Sequence, residues 1–158
     1  MDLRPELLPP PVEEHILDEF CREIARIESL IWHGEPVAET VAAFNERTGR
    51  RYHWTAFAEY DEIRDLEDFA LEAARPPHPR VPDLTRDELA EIIARMRSAN
   101  LPAADLDYYL RLVDNSVPHP AITDLIRETD AEPGEIADAA IGYKSAEPPV
   151  RAEYRSTG

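Results

Sequence analysis

The chain has 158 residues, and its 17 Lys or Arg against 33 Asp or Glu give a formal net charge of -16. A charge of this size repels nucleic acid and anionic membranes and attracts a basic partner, which argues against nucleic-acid-binding and membrane-surface functions. The single cysteine, Cys21, excludes an intramolecular disulfide, and no apolar run approaches the roughly 20 residues of a membrane span, so we expect a cytoplasmic protein.

The first half of the chain predicts a helical region of about three helices over residues 12–75, after a Pro-rich and disordered start at residues 1–11. Apolar residues at steps of three or four from Ile16 to Ile31 mark a one-sided first helix. The other helical segments have local start, stop or spacing signals: a start at Pro36 and a stop at Gly49, a short turn at Trp54 and Phe57, and apolar spacing from Leu66 to Ala73.

Four prolines in the nine residues 75–83 favour a stiff, extended connector, and we place a linker at residues 76–82. Thr85 follows this linker, with Glu88 three residues later. This spacing is a capping box, in which each side chain bonds the other residue's backbone N–H. It predicts the best-defined helix start in the chain.

Residues 83–146 predict a four-helix domain, which a polar tail at residues 147–158 follows. Prolines open two of its helices, at Pro102 and Pro133. Neither half of the chain shows the alternating pattern of a strand. The predicted fold class is all-α.

The stretch VPHPAITDLIRETD predicts a rigid corner that starts a short helix, because prolines preset the backbone before it. The oxygens of Thr123 and Asp124 are expected to meet unpaired backbone donors at the helix start. His119, between two prolines, is interpreted either as a functional imidazole or as a residue that caps and packs locally.

Catalytic patterns are lacking in the sequence. The five histidines lie in different segments without metal-ligand spacing, and the five glycines form no phosphate-binding loop. The acidic run at residues 59–68 is interpreted as a solvated helix face, and Cys21 as a core thiol. We therefore predict no enzyme activity, no cofactor and no metal site.

Four segments of the second half occur in a distinctive order: LTRDELAEII, LDYYLRLVDNSVPHP, AITDLI and EPGEIADAAIGYK. They give a Thr helix start, an acidic second helix, a His-Pro corner and a last helix opened by Pro. In this order residues 83–144 resemble the small immunity proteins of the colicin and pyocin nuclease family. The first 80 residues lie outside the resemblance.

The resemblance implies a cytoplasmic antitoxin that binds and inhibits a cognate DNase. In that family the short third helix and its two aromatics form the shared part of the binding surface, and the acidic second helix selects the partner. The two aromatic positions hold Arg127 and Glu128 here. Carried over by position, the implied binding residues are Asp107, Leu110 and Asp114 on the second helix, and Thr123, Asp124, Arg127 and Glu128 on the third.

Charge complementarity supports a related function independently, because an acidic, all-helical chain suits the capture of a basic protein. The hypothesis is an immunity-like antitoxin that inhibits a basic nuclease toxin. The alternative is a non-catalytic interaction or regulatory protein that uses the immunity fold as a scaffold and whose N-terminal helices form a homodimer or dock elsewhere.

Overall fold

The computed structural model describes residues 2–60, 65–117, 119 and 121–142. These residues form an all-α fold with no strand among them, as the sequence predicts. One turn of 3-10 helix, Pro5–Leu7, precedes the α-helices. The α-helices in chain order are α1 (Glu14–Trp32), α2 (Ala38–Thr48), α3 (Trp54–Glu59), α4 (Leu66–Ala74), α5 (Arg86–Met96), α6 (Ala103–Ser116), α7 (Ile122–Glu128) and α8 (133–142).

Two predicted helix ends are confirmed in detail. Gly49 ends α2 in the left-handed conformation, with φ of 72°, and its N–H donates to the Asn45 carbonyl at 2.8 Å. At the start of α5, the Glu88 N–H donates to Thr85 Oγ1 at 3.2 Å, and the Thr85 N–H donates to Glu88 Oε1 at 3.0 Å. Both bonds of the capping box are therefore present.

The chain divides into two compact units. The N-terminal unit comprises Pro9–Pro77 and Pro102–Tyr108, and the C-terminal unit comprises Met1–Leu8, His78–Leu101 and Tyr109–Gly158. The change of unit after Pro77 falls within the linker predicted at residues 76–82. Residues 102–108, at the start of α6, belong to the N-terminal unit although the predicted boundaries place them in the second domain. Hydrophobic spacing identifies a helix but does not say which core the helix joins.

An aromatic cluster fills the core of the N-terminal unit, where α1 packs against α3 and α4. The Phe44 ring meets Phe20 and Phe57 edge-on, with ring centroids 5.8 and 5.3 Å apart. Each such pair adds about 0.5–1.5 kcal/mol to the stability beyond the burial of its area. The buried residues of the cluster to which these rings belong are Phe20, Ile24, Ile27, Val41, Phe44, Phe57, Tyr60, Phe69, Ala70 and Ala73.

Two buried arginines bind the start of α6 within the N-terminal unit. Arg75 Nε donates to the Pro10 carbonyl at 2.9 Å, and its Nη1 pairs with Asp105 Oδ1 at 2.8 Å. Arg50 Nη1 lies 3.4 Å from Asp107 Oδ2. Because a buried guanidinium needs a paired charge, these two carboxylates hold residues 102–108 to this unit.

In the C-terminal unit the first residues of the chain are held in place, in contrast to the disordered start expected at residues 1–11. Leu7 is fully buried, and Arg4 Nε donates to Glu88 Oε2 at 2.6 Å. Glu88 is 5% exposed, and its bond with Arg4 lowers the pKa of its carboxyl to about 2. An apolar anchor and an ion pair thus attach this segment to α5.

The linker region also makes contacts inside the C-terminal unit. Its backbone from His78 to Asp83 forms neither helix nor strand, and it bends at residue 78 and turns at residues 82–83, so it is not extended throughout as the sequence predicts. Pro79 and Val81 are buried, and the Val81 N–H donates to Ser116 Oγ at 2.8 Å. Its second half is therefore packed on the unit that follows it in sequence.

Candidate protein-binding surface

The clearest functional feature is an acidic stretch of the C-terminal unit, residues 124–135, which we name the α7–α8 acidic segment. It carries five exposed carboxylates and one cation, Arg127. None of these carboxylates forms an ion pair with another residue in the described part of the chain. The carboxylates are Asp124, Glu128, Asp130, Glu132 and Glu135.

Asp124 and Glu128 are one turn apart on the same face of α7. Like charges at this spacing destabilise a helix by about 0.2–0.5 kcal/mol. The pair therefore costs stability while it concentrates negative charge on the solvent side.

Arg97, at the C-terminal end of α5, fixes the turn that joins α7 to α8. Its guanidinium donates to the carbonyls of Ile126 at 3.1 Å, Thr129 at 3.0 Å and Ala131. In addition, Thr129 Oγ1 donates to the Leu125 carbonyl at 2.6 Å. Two of the carbonyls left over at the end of α7, those of Leu125 and Ile126, are thereby satisfied, and Arg97 holds the turn after the helix in place.

The corner before α7 is built differently from the prediction. The N-cap of α7 is Ala121, and no side chain caps it, so the expected capping by Thr123 and Asp124 is wrong. Instead, His119 Nδ1 accepts the Ala121 N–H at 3.0 Å, which agrees with a local structural contact of His119 and not with a helix cap. The prolines at positions 118 and 120 lie outside the described residues. Thr123 and Asp124 are within the first turn of α7, and neither side chain accepts a backbone N–H of the described residues.

The predicted site residues divide between the two units. Six of them belong to the C-terminal unit: Leu110 and Asp114 on α6, and Thr123, Asp124, Arg127 and Glu128 on α7. Asp114, Asp124, Arg127 and Glu128 are exposed, and Leu110 and Thr123 are half-buried. Asp107 belongs to the N-terminal unit and faces the buried Arg50.

Sequence reasoning missed the second half of the acidic segment and the residue that fixes it. Asp130, Glu132 and Glu135 surround Pro133, whose predicted role was only that of a helix start. Their density in the stretch ETDAEPGE was the available signal. The sequence gives no signal for the role of Arg97, because its partners are backbone carbonyls 29 to 34 positions away along the chain.

In the described ranges, no group of three or more His, Cys, Asp or Glu side chains is placed to hold a metal ion. None of the helices there is both long and apolar enough to cross a membrane. Comparison with protein-family models, curated proteins and solved structures finds no match to this chain.

Proposed function

We propose that this protein is a non-catalytic binding protein that captures a basic protein through the α7–α8 acidic segment. The observation that carries the proposal is the set of five exposed carboxylates without an ion-pair partner among the described residues. Net charge of one sign on one surface steers a partner of the opposite sign and accelerates association.

The positions of the arginine side chains are consistent with a binding surface on the acidic segment. Arg50 and Arg75 are buried, Arg4 and Arg86 pair with carboxylates, and Arg97 binds backbone carbonyls. Arg86 and Arg97 lie against the backbone of the acidic segment and, with Arg127, offset part of its charge, but its five carboxylates still outnumber these three cations. Its backbone is held by Arg97 before any partner arrives, so little conformational entropy is lost on binding.

In the finer form of the proposal, the partner is the basic catalytic domain of a nuclease toxin, and binding inhibits DNA cleavage. The order of motifs in residues 83–144 supports this form. Arg127 and Glu128 occupy the positions where that family carries aromatic anchors, and such anchors contribute on the order of 2 kcal/mol or more each. We therefore expect weaker binding to a family nuclease than the family's own members achieve.

The test is a titration of a colicin-type DNase domain with the purified full-length chain, with DNA cleavage as the readout. Inhibition is expected, and the Asp124→Asn/Glu128→Gln double variant should weaken it. The Glu39→Gln/Glu46→Gln variant is the matched control, because it removes two exposed charges from α2 in the N-terminal unit. Equal effects of both variants would reveal a response to net charge and contradict a localised surface.

Arg127 tests the finer form separately. The substitution Arg127→Tyr removes a cation from the acidic segment and restores an aromatic residue, so it should tighten binding to the nuclease. Unchanged or weaker inhibition by this variant would contradict a family-type interface on α7.

A second candidate function, self-association through the N-terminal unit, rests on two tryptophans. Trp32 at the end of α1 is 72% exposed, and Trp54 at the start of α3 is 47% exposed. Exposed tryptophans are unusual on a surface without a partner and are enriched in interfaces. Sedimentation of the wild type and of Trp32→Ala tests this candidate, because a monomeric wild type would rule it out.

A further inference from the structure

The N-terminal unit contains a shallow pocket of about 340 Å³ that the acidic segment does not involve. Its apolar wall consists of Leu17 on α1, Leu71 on α4 and Pro102 before α6. Its acidic rim consists of Asp65, Glu67 and Asp68 at the start of α4. Apolar side chains and carboxylates that line one pocket are complementary to an aliphatic stem that ends in a cation.

We propose that this pocket receives an arginine side chain from a partner protein. In this arrangement the aliphatic stem packs on Leu17 and Leu71, and the guanidinium faces Glu67. Arginine fits better than lysine, because its guanidinium is more weakly hydrated and donates in a planar fork. The volume lies near the lower limit for small-molecule sites, which suits a single side chain.

The rim carboxylates differ in what they already bind. Asp65 Oδ1 accepts the Asp68 N–H at 2.8 Å, and Asp68 Oδ1 accepts the Ala104 N–H at 3.0 Å. Glu67 is exposed, and none of the three forms an ion pair with another described residue. Glu67 is therefore the carboxylate best placed to pair with an incoming cation.

The positive ends of two helices repel a cation at this pocket, but they do not cancel the negative charge of the rim carboxylates. Helices α4 and α6 both begin at this pocket, and each N-terminus contributes about half a positive charge. Three carboxylates thus leave a net charge of roughly two negative units. Negative charge near the pocket also acts on Cys21. Burial raises the pKa of its thiol, and the charges of Glu67, Asp18 and Asp65 raise it further.

A metal ion fits the pocket less well than an organic cation. Asp65 and Asp68 each use Oδ1 to accept a backbone N–H, and the described residues contain no group suited to hold a metal. A divalent cation needs several converging oxygens, whereas a guanidinium also gains from the apolar wall. This favours an arginine.

This inference does not rest on the α7–α8 acidic segment, which belongs to the other unit. The probe is a short peptide with one arginine, compared with the same peptide carrying citrulline, its neutral isostere. Binding to the full-length chain is followed by amide chemical shifts. The arginine peptide should shift Leu17, Glu67 and Leu71 and bind at least tenfold more tightly than the citrulline peptide.

Variants complete the test. Glu67→Gln should weaken binding of the arginine peptide about threefold to tenfold, whereas Glu39→Gln, an equal charge change outside the pocket, should have no effect. Equal affinity for both peptides, shifts that avoid the pocket, or no binding at about 10 mM peptide would overturn the proposal. Tighter binding of free spermidine than of the peptide would also overturn it, since it would identify a small polyamine as the occupant.

Discussion

Arg50 Nη1 lies 3.4 Å from Asp107 Oδ2, so a carboxylate that the family resemblance implies for a binding surface faces a buried arginine within the N-terminal unit. The Arg50 side chain is 3% exposed, whereas that of Asp107 is 24% exposed. A half-buried acid beside a buried cation contributes first to stability, because loss of the acid leaves the cation without its charge partner.

Asp107→Asn should therefore lower the free energy of unfolding by about 1–3 kcal/mol, because it removes the charge that faces Arg50. The control is Asp114→Asn on the same helix, an exposed residue that should change stability by less than about 0.5 kcal/mol. The free energy of unfolding of both variants is measured by urea denaturation. Similar stability of the two would contradict a structural role for Asp107.

Arg97→Met should lower the free energy of unfolding by about 1–3 kcal/mol, because it keeps the aliphatic stem but removes the donors to three carbonyls. Amide hydrogen exchange should accelerate between Ile126 and Ala131. Arg127→Met serves as the control, since Arg127 is exposed and forms no ion pair with a described residue. Unchanged exchange in the Arg97 variant would show that the turn is held by other contacts.

Glu128→Lys should stabilise the protein by about 0.5–1 kcal/mol while it weakens capture of a basic partner. The substitution replaces a like-charge pair with Asp124 by an attractive one, and it places a cation in the last turn of α7. Thermal unfolding and binding are measured on the same samples. A variant that binds as well as the wild type would remove Glu128 from the proposed surface.

The Arg4–Glu88 pair predicts a dependence of stability on pH. The pKa of Glu88 falls from an ordinary 4.5 to about 2 in the folded chain, so the unfolded state binds the proton more readily. Stability from this group is fully present above pH 4.5 and is lost as the pH falls from 4.5 towards 2. Glu88→Gln should flatten the stability profile in that window, whereas Glu132→Gln, at an exposed position, should leave it unchanged.

The pKa of the Cys21 thiol depends on the negative charge around the pocket of the N-terminal unit. Burial raises the pKa of its thiol, and the negative charges of Glu67, Asp18 and Asp65 raise it further because they disfavour the thiolate. Glu67→Gln should therefore lower the thiol pKa and speed alkylation by iodoacetamide at a fixed pH below it. Glu39→Gln should not. Identical rates in the three proteins would show that Glu67 does not act on this region.

The all-α fold could be predicted because most helix signals in this chain are local. The capping box at Thr85 and the glycine stop at Gly49 depend on residues within four positions of each other, and both are confirmed. The corner at α7 was predicted only in part, because several local side chains could accept its backbone donors; His119 Nδ1 accepts the Ala121 N–H, and no side chain caps the helix.

The attachment of residues 102–108 to the N-terminal unit could not be predicted in the same way. It depends on Arg50 and Arg75, whose partners Asp107 and Asp105 are 57 and 30 positions away along the chain. Asp107 carried the same spacing signal as Asp114, and only tertiary contacts distinguish their surroundings. Of the acidic segment, the family resemblance implied only the residues up to Glu128. The carboxylates beyond Thr129 were not predicted.

The most direct test of the central claim is the rate of association with a colicin-type DNase domain at about 50 and 300 mM salt. Steering by the acidic segment predicts an association rate that falls steeply with salt in the wild type. Asp124→Asn/Glu128→Gln should show a slower rate at low salt and a weaker salt dependence, whereas Glu39→Gln/Glu46→Gln should follow the wild type. Identical salt dependence of the two double variants would contradict the claim that residues 124–135 capture the basic partner.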